Sequence, residues 1–533
     1  MVRFISQGWA WLPICCLLGC LDASKDDKHP IIAPQEFFPT DTVGLDPVAV
    51  TRTIDLKNGD TLRMTAAPVK KRIGGKTIRM LAYGGSIPGP TIRVAQGSEV
   101  TVILKNAIGL PTMLHSHGLR LDARYDGTMD NQKLIADGES FTYKLRFPDP
   151  GLFWYHPHYR EDYAKEMGLY GNFFVLPADT GYWSPVNREQ MLMLDDFFFD
   201  TAQGGARFRT ADVDRTMMGR FGNHLLVNGD SLLDLTVRKN EVIRFFATNA
   251  CNTRVWNLGM VAPSGARPPL KLVASDNGQY EYFDTVPTIL VAPSERRIIE
   301  FRFPETGVYK LTHFILKTRY NNDSTILLGN INVVADSAEA DYGDRYRSDT
   351  ISLAAGKSLD PIRALADPAV APRKEILLTG TMGAMSKASS TANDGPISIE
   401  GKGIEWKDHM ADMNAASDLK NMKWWIIDVA TDLKNHDIVW KFKQGEMVKI
   451  RIKNDIAATH PMPHPIHFHG QRFVVASVNG RRNLNMAWKD SYLVGMGETA
   501  DIILDASNPG AWMAQCHISE HFESMMMLNF MVE

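Results

Sequence analysis

The residues that could do chemistry gather near the C-terminus, in Cys516-His517-Ile-Ser-Glu-His521-Phe-Glu-Ser-Met-Met526. Upstream stands His464-Pro-Ile-His467-Phe-His469-Gly470. One thiolate, two imidazoles and a distant thioether are the ligand set of a blue-copper electron-transfer site. That set leaves histidines over, and the surplus requires a second metal centre.

The surplus is paired. Leu114-His115-Ser-His117-Gly118 matches Ile466-His467-Phe-His469-Gly470. Pro150-Gly151-Leu-Phe-Trp-Tyr-His156-Pro-His158 matches Pro509-Gly510-Ala-Trp-Met-Ala-Gln515-Cys516-His517. Between them the related Gly307-Val-Tyr309 is followed by Thr312 and Phe314 where the histidines would be. Residues i and i+2 of a strand share a face, roughly 6.5–7 Å apart, so a His-x-His can present two imidazoles to neighbouring metals. The slots His115/His117, His156/His158, His467/His469 and Gln515/His517 would supply eight imidazoles if all were histidine, which suits a three-copper cluster. Adjacent strand residues face opposite ways. Cys516 is thus expected to face the blue-copper site and His517 the cluster, joined by a covalent electron path. A lone His-x-His is more often a surface or core pair; four matched slots beside Cys-x4-His-x4-Met are not.

The elements that must position these residues also repeat. Gln96–Asn106, Lys239–Asn249 and Gln444–Asn454 share one alternating pattern ending in Asn, as half-buried strands should. Short alternating runs punctuated by Gly, Pro, Asn and Asp recur, and long amphipathic helices are scarce, which predicts an all-β chain of sandwiches. Three are expected, at 45–180, 181–335 and 373–533, with a connection at 336–372 and a surface loop at 386–403. Ligand sets in the first and third domains, and none in the second, imply a site at their interface.

A chain of 533 residues fits three domains at about 100–200 residues each. Its net charge of −3 offers no basic field for nucleic acid. Residues 1–20 read as an export signal: Arg3, an apolar run from Phe4, then Leu17-Leu18-Gly19-Cys20. These last four resemble a bacterial lipobox, with Cys20 as the lipid-bearing residue, 21–44 as a tether, and Leu21 consistent with outer-membrane sorting. The other reading is an ordinary cleaved leader. The expected place is therefore the periplasmic side of a bacterium, with a membrane touched only through that anchor. Of five cysteines, 15 and 16 leave with the leader; Cys251 is expected to be a small buried side chain, and no disulfide is expected.

The four copper signatures resemble those of the multicopper oxidases, a family that includes laccases and bacterial cuprous oxidases. Tyr83–Val94, Trp488-Lys-Asp490 and Gly497-Glu-Thr499 add to the likeness. It implies three Greek-key cupredoxin β-sandwich domains in tandem and four coppers. His464, Cys516, His521 and Met526 would hold type 1 copper, and His115 and His467 type 2. His117, His156 and His517 would hold one type 3 copper, and His158, His469 and Gln515 the other. The activity implied is one-electron oxidation of a reductant, phenolic or cuprous, coupled to reduction of O2 to water by a monomer. The family pattern has His at 515, so three outcomes stand open. Gln515 or water completes that site, its copper is labile, or the chain is a copper-binding or electron-transfer lipoprotein. Met525 stands where the pattern has Gly. Asp126 resembles the acid that relays protons near type 2 copper. The acid that often follows the last His is Phe522 here, with Glu520 or Glu161 as substitutes. The reductant is expected to dock near His464 or His521, and Met382, Met385, Met410, Met413 and Met422 offer thioethers that suit Cu(I).

Overall fold

The computed structural model describes residues 36–200, 205–318, 321–383 and 400–533. The leader with Cys20, residues 21–35 of the tether, Met385 and residues 386–399 of the loop lie outside the described residues. Strands dominate the rest, in six sheets. The first two sheets run from Thr53 to Leu176, the next two from Arg188 to Ser337 and the last two from Lys374 to Val532. Each pair closes over its own core. Val102 and Leu145 meet Ile92 and Phe173 in the first, Phe245 and Phe301 meet Leu258 and Leu311 in the second, and Ile450 and Ile502 meet Phe468 and Leu528 in the third. Burying each such side chain contributes about 1.5–3 kcal/mol. No helix among the described residues is long and apolar enough to cross a membrane.

The three sequence echoes become the strands Glu99–Asn106, Val242–Asn249 and Glu446–Asn454. Their terminal asparagines do the same work. Asn106 Nδ2 donates to Leu110 O (2.8 Å) and Ile135 O (2.9 Å), Asn249 Nδ2 to Arg254 O and Val291 O (both 2.8 Å), and Asn454 Nδ2 to Met462 O (2.8 Å) and Val494 O (3.1 Å). In the first and third sandwiches this ties down the loop that leads into a His-x-His. One expectation fails: Val242–Asn249 is buried at every position, not at alternate ones. Phe246, with Val273 and Ile298, packs outward against Leu152 and Phe174 of the first sandwich, so both faces of this strand are covered.

The connection at 336–372 is more than a linker. It folds into short helices, Gly343–Ser348 and Leu353–Leu359, the second capped by Ser352 Oγ on Ala355 N (3.1 Å). Leu359, Ile362 and Ala366 pack on Val474, Trp488 and Ile503 of the third sandwich.

Candidate metal centres

Strand register builds both centres. His464–Phe468 lies beside Gly510–Cys516, with Ile466 opposite Cys516 and His467 opposite Gln515. In the first sandwich His115 lies opposite His156. Gln515 therefore occupies, in the third sandwich, the register position that His156 occupies in the first.

At the first centre Cys516 Sγ lies 3.5 Å from His464 Nδ1 and 3.6 Å from His521 Nδ1. All three are buried, and Met526 is buried in the same core cluster. Cys516 N donates to Met526 O (3.0 Å), which ties the end of the strand that carries the thiol to the residue that carries the thioether. Met525, before it, adopts φ +68°, the left-handed region. A Cβ there costs roughly 1–2 kcal/mol, which explains Gly at this position in the pattern. The site has a roof that the sequence did not announce. Trp424 stacks on His521 at 4.2 Å, and its Nε1 donates to Thr216 O (2.7 Å). Met217 N donates to Ser417 Oγ (2.9 Å), Met218 N to Asn414 Oδ1 (3.1 Å) and Asn414 Nδ2 to Gly219 O (2.8 Å). The segment Thr216–Gly219 thus crosses from the middle sandwich over the site. His464 and His521 are 1% and 0% exposed, so neither reaches the surface where docking was expected.

At the second centre the first and third sandwiches interleave their rings. His117 stacks on His467 at 3.7 Å and His115 lies 4.2 Å from His469. His158 stands 5.1 Å from His469, and His517 is 5.0 Å from His117 and 5.1 Å from His156. Gln515 is fully buried with neither amide atom hydrogen-bonded. Cys516 and His517 thus face different centres, as alternation requires.

Partners behind the rings decide which nitrogen faces inward. His115 Nδ1 donates to Asp126 O (2.7 Å), His467 Nδ1 to Asp490 O (2.8 Å) and His156 Nδ1 to Pro157 O (2.8 Å). His469 Nδ1 donates to Asp126 Oδ2 (2.9 Å). With the proton held on Nδ1, the lone pair sits on Nε2. Nε2 has no hydrogen-bond partner in His115, His156, His158, His467 or His469. Such buried, unpartnered nitrogens, with the amide of Gln515 beside them, fit a cluster of copper ions. Asp126 joins the two sandwiches, and Gly127 after it is obligatory because a Cβ would stand 1.9 Å from Leu114 O. Glu161 Oε1 lies 3.7 Å from His517 Nδ1 and 3.9 Å from His156 Nδ1, held by Lys165 Nζ (2.7 Å) and Ser519 Oγ (3.1 Å). Glu520 faces Asn252 instead (3.3 Å).

Cys251 is buried and free, and accepts from Trp256 Nε1 (3.3 Å). Met422 belongs to the third core, and Met382, Met410 and Met413 pack against it. His313 of the middle sandwich is buried and accepts from Asn257 N (3.1 Å) through Nδ1.

Two sequence-family models, both described as multicopper oxidase, match residues 65–180 and 408–533. The chain is 25% identical to multicopper oxidase MmcO of Mycobacterium tuberculosis over 492 residues, covering 86% of this chain and 84% of that one. It is 26% identical to multicopper oxidase mco of Staphylococcus epidermidis, covering 84% and 82%. Among solved structures, McoA of Aquifex aeolicus superposes with a TM-score of 0.66 at 23% identity, covering 92% of this chain and all (100%) of that one. A multicopper oxidase of Campylobacter jejuni, described as a metallo-oxidase, superposes at 0.64 with 22% identity, covering 93% and 99%. These likenesses carry the same fold, three cupredoxin sandwiches.

Burial sets the charge state of the centres. It pushes His464, His467 and His469 each down to about 3, and holds His117, His156, His158, His517 and His521 well below the usual imidazole range. Burial acts on Asp126 too, pulling it upward, but His469 and His115 outweigh it and hold the carboxyl below its ordinary value. At His115 burial also pulls downward, but Asp126 outweighs it and raises that ring above the usual imidazole range. Above pH 6.5 the other eight rings are neutral in folded and unfolded chains alike. Below it the unfolded chain takes up protons that the folded rings refuse until about pH 3, so stability falls with pH across that window. At pH 5.5 each of His464, His467 and His469 costs about 1.4 kcal/mol. The copper-free protein should therefore melt at a clearly lower temperature at pH 5.5 than at pH 7.5; equal Tm values would contradict this.

Proposed function

The chain belongs to the multicopper oxidase family, and on that premise we propose that it couples one-electron oxidation of a small reductant to four-electron reduction of O2 to water. In this reading His464, Cys516, His521 and Met526 hold type 1 copper, and His115 and His467 hold type 2. His117, His156 and His517 hold one type 3 copper, and His158, His469 and Gln515 the other, making four coppers in all. The observation that carries the reading is the set of buried imidazole nitrogens without partners, gathered from two sandwiches into one cavity. Withdrawing such lone pairs from water is unfavourable unless something binds them.

Bound copper would supply the one-electron carrier and the centre that takes O2. The residues supply the rest. Cys516 and His517 join the two centres through one peptide bond. Four electrons and four protons are consumed per O2. Asp126 keeps Oδ1 free of hydrogen bonds while Oδ2 holds His469, so that ionised oxygen can accept a hydrogen bond from a proton-carrying water beside the cluster. Glu161, on the opposite side, is the acid that stands in for the missing one at Phe522; its proximity to His156 and His517 favours it over Glu520. The resemblance of residues 1–20 to an export signal with a lipobox supports a lipid anchor on the periplasmic side of a bacterial outer membrane.

The roof favours a small reductant. Thr216–Gly219 lies over Trp424, which packs on both the His464 and His521 rings, so a phenol approaching from that side must displace it. Met217 and Met218 lie in the same core cluster as Cys516, with Met410 and Met413 packed against it, and thioethers prefer Cu(I). We therefore favour cuprous ion over bulky phenols. Asn414→Ala removes two of the bonds that hold the roof, each worth about 1 kcal/mol. It should raise kcat/KM for a substituted phenol several-fold and leave cuprous oxidation nearly unchanged. A phenol rate that does not move would count against the roof.

Gln515 leaves one other reading, a copper-binding or electron-transfer lipoprotein with an impaired cluster, favoured by the unpartnered amide. Copper content and O2 uptake, measured side by side on the natural protein and Gln515→His, decide it. Near four coppers and steady uptake in the natural protein are expected, with tighter retention after Gln515→His. Two or three coppers and negligible uptake, both restored by the substitution, would establish the impaired cluster.

A further inference from the structure

Arg296 opens the strand Arg296–Arg302 of the middle sandwich, the one that supplies no candidate ligand. It is fully buried, and its guanidinium reaches both neighbouring sandwiches. Nε donates to Leu152 O of the first (3.0 Å). Nη1 donates to Asp490 Oδ1 of the third (2.7 Å), and Nη2 to Asp490 Oδ2. Such a two-pronged fork fixes the plane and position of the carboxylate, which a lysine could not do. Asp490 Oδ1 in turn accepts from His117 Nε2 (3.0 Å). Ser491 Oγ also donates to that oxygen (3.0 Å) and lies 3.2 Å from the same ring nitrogen.

His117 differs from the other imidazoles whose outer nitrogen is anchored. In His115, His156, His467 and His469 the anchored nitrogen is Nδ1 and the unpartnered one Nε2; in His117 the order is reversed. A neutral imidazole has one N–H and one lone pair, so an acceptor fixed behind Nε2 leaves the lone pair on Nδ1. The chain is shaped around this fork. Gly118 turns at φ +83°, and a Cβ there would stand 2.3 Å from Asp490 Oδ2 and 2.8 Å from Arg296 Nη2.

We infer that Arg296 is a positioning residue for the cluster: through its fork on Asp490 it holds the His117 ring so that Nδ1, rather than Nε2, faces the metals. The inference rests on the proposed ligand role of His117. It gives the copper-free sandwich a part in the chemistry that burial of apolar surface does not supply.

The test compares Arg296→Met and Arg296→Lys with Lys489→Met. Lys489 bridges the middle and third sandwiches, through Asp276 Oδ2 (3.0 Å) and Glu295 Oε1 (3.1 Å), and its ammonium touches neither the Asp490 carboxylate nor the His117 ring. Two readouts are taken: the ring 15N resonances of histidines in the copper-free protein, and the absorption and EPR silence of the coupled type 3 pair after copper loading. Arg296→Met should lose the Nε2-protonated His117 signal and the coupled-pair signature while keeping the blue absorption. Arg296→Lys, which folds more readily, should lose part of both. Lys489→Met should lower Tm and keep both. The inference is overturned if the two Arg296 variants keep the natural tautomer and pair signature, or if Lys489→Met loses them equally. If the natural protein shows no coupled pair, the ligand reading fails, and the 15N signals of the copper-free chain still decide the inference.

Discussion

Everything in this molecule is arranged around neutral imidazole lone pairs kept out of water. Each ring must be held from behind by an acceptor, must face its neighbours across two sandwiches, and must stay uncharged. Carbonyls of Asp126, Pro157 and Asp490 and the carboxylate of Asp126 meet the first demand for His115, His156, His467 and His469. Interleaving of His115 with His469 and of His117 with His467 meets the second. Burial meets the third for every ring but His115, where the Asp126 carboxylate outweighs it. A cavity of this kind is unstable in an empty, acidic chain and stable around a metal, so metal loading and stability are linked.

The middle sandwich shows how a domain without ligands can matter. One face of its fully buried strand seals against the first sandwich through Phe246. Arg296 knits all three bodies behind the cluster. Its segment Thr216–Gly219 closes over the other centre, beside Trp424 and His521. Cover, positioning and apolar cohesion thus come from the part of the chain that offers no candidate ligand.

Much of this was legible in the sequence because strand geometry is local. Alternation put the two rings of each His-x-His on one face and separated Cys516 from His517. The echo between Tyr155-His156 and Ala514-Gln515 located the odd residue, and the register of His467 on Gln515 repeats that of His115 on His156. Arg296 and Asp490 were not legible as partners, since 194 residues separate them and neither motif implies the other. The roof escaped for the same reason: Asn414 and Gly219 lie 195 residues apart, so the buried state of His464 and His521 left no local mark. Val242–Asn249 did carry a signal, since Val-Ile-Arg-Phe-Phe-Ala hardly alternates. The terminal asparagines of the three echoes were visible as a repeat, but their task, tying down loops, needed the loops in place.

The central claim is that one cavity, built from the first and third sandwiches, holds a copper cluster beside a separate cysteine-ligated copper. Anomalous diffraction at the copper edge from crystals of the loaded protein tests it most directly. The account predicts one peak among His464, Cys516 and His521, and three among His115, His117, His156, His158, His467, His469 and His517, the weakest beside Gln515. Peaks confined to the protein surface, or an imidazole cavity without copper in a protein that binds it elsewhere, would contradict the account.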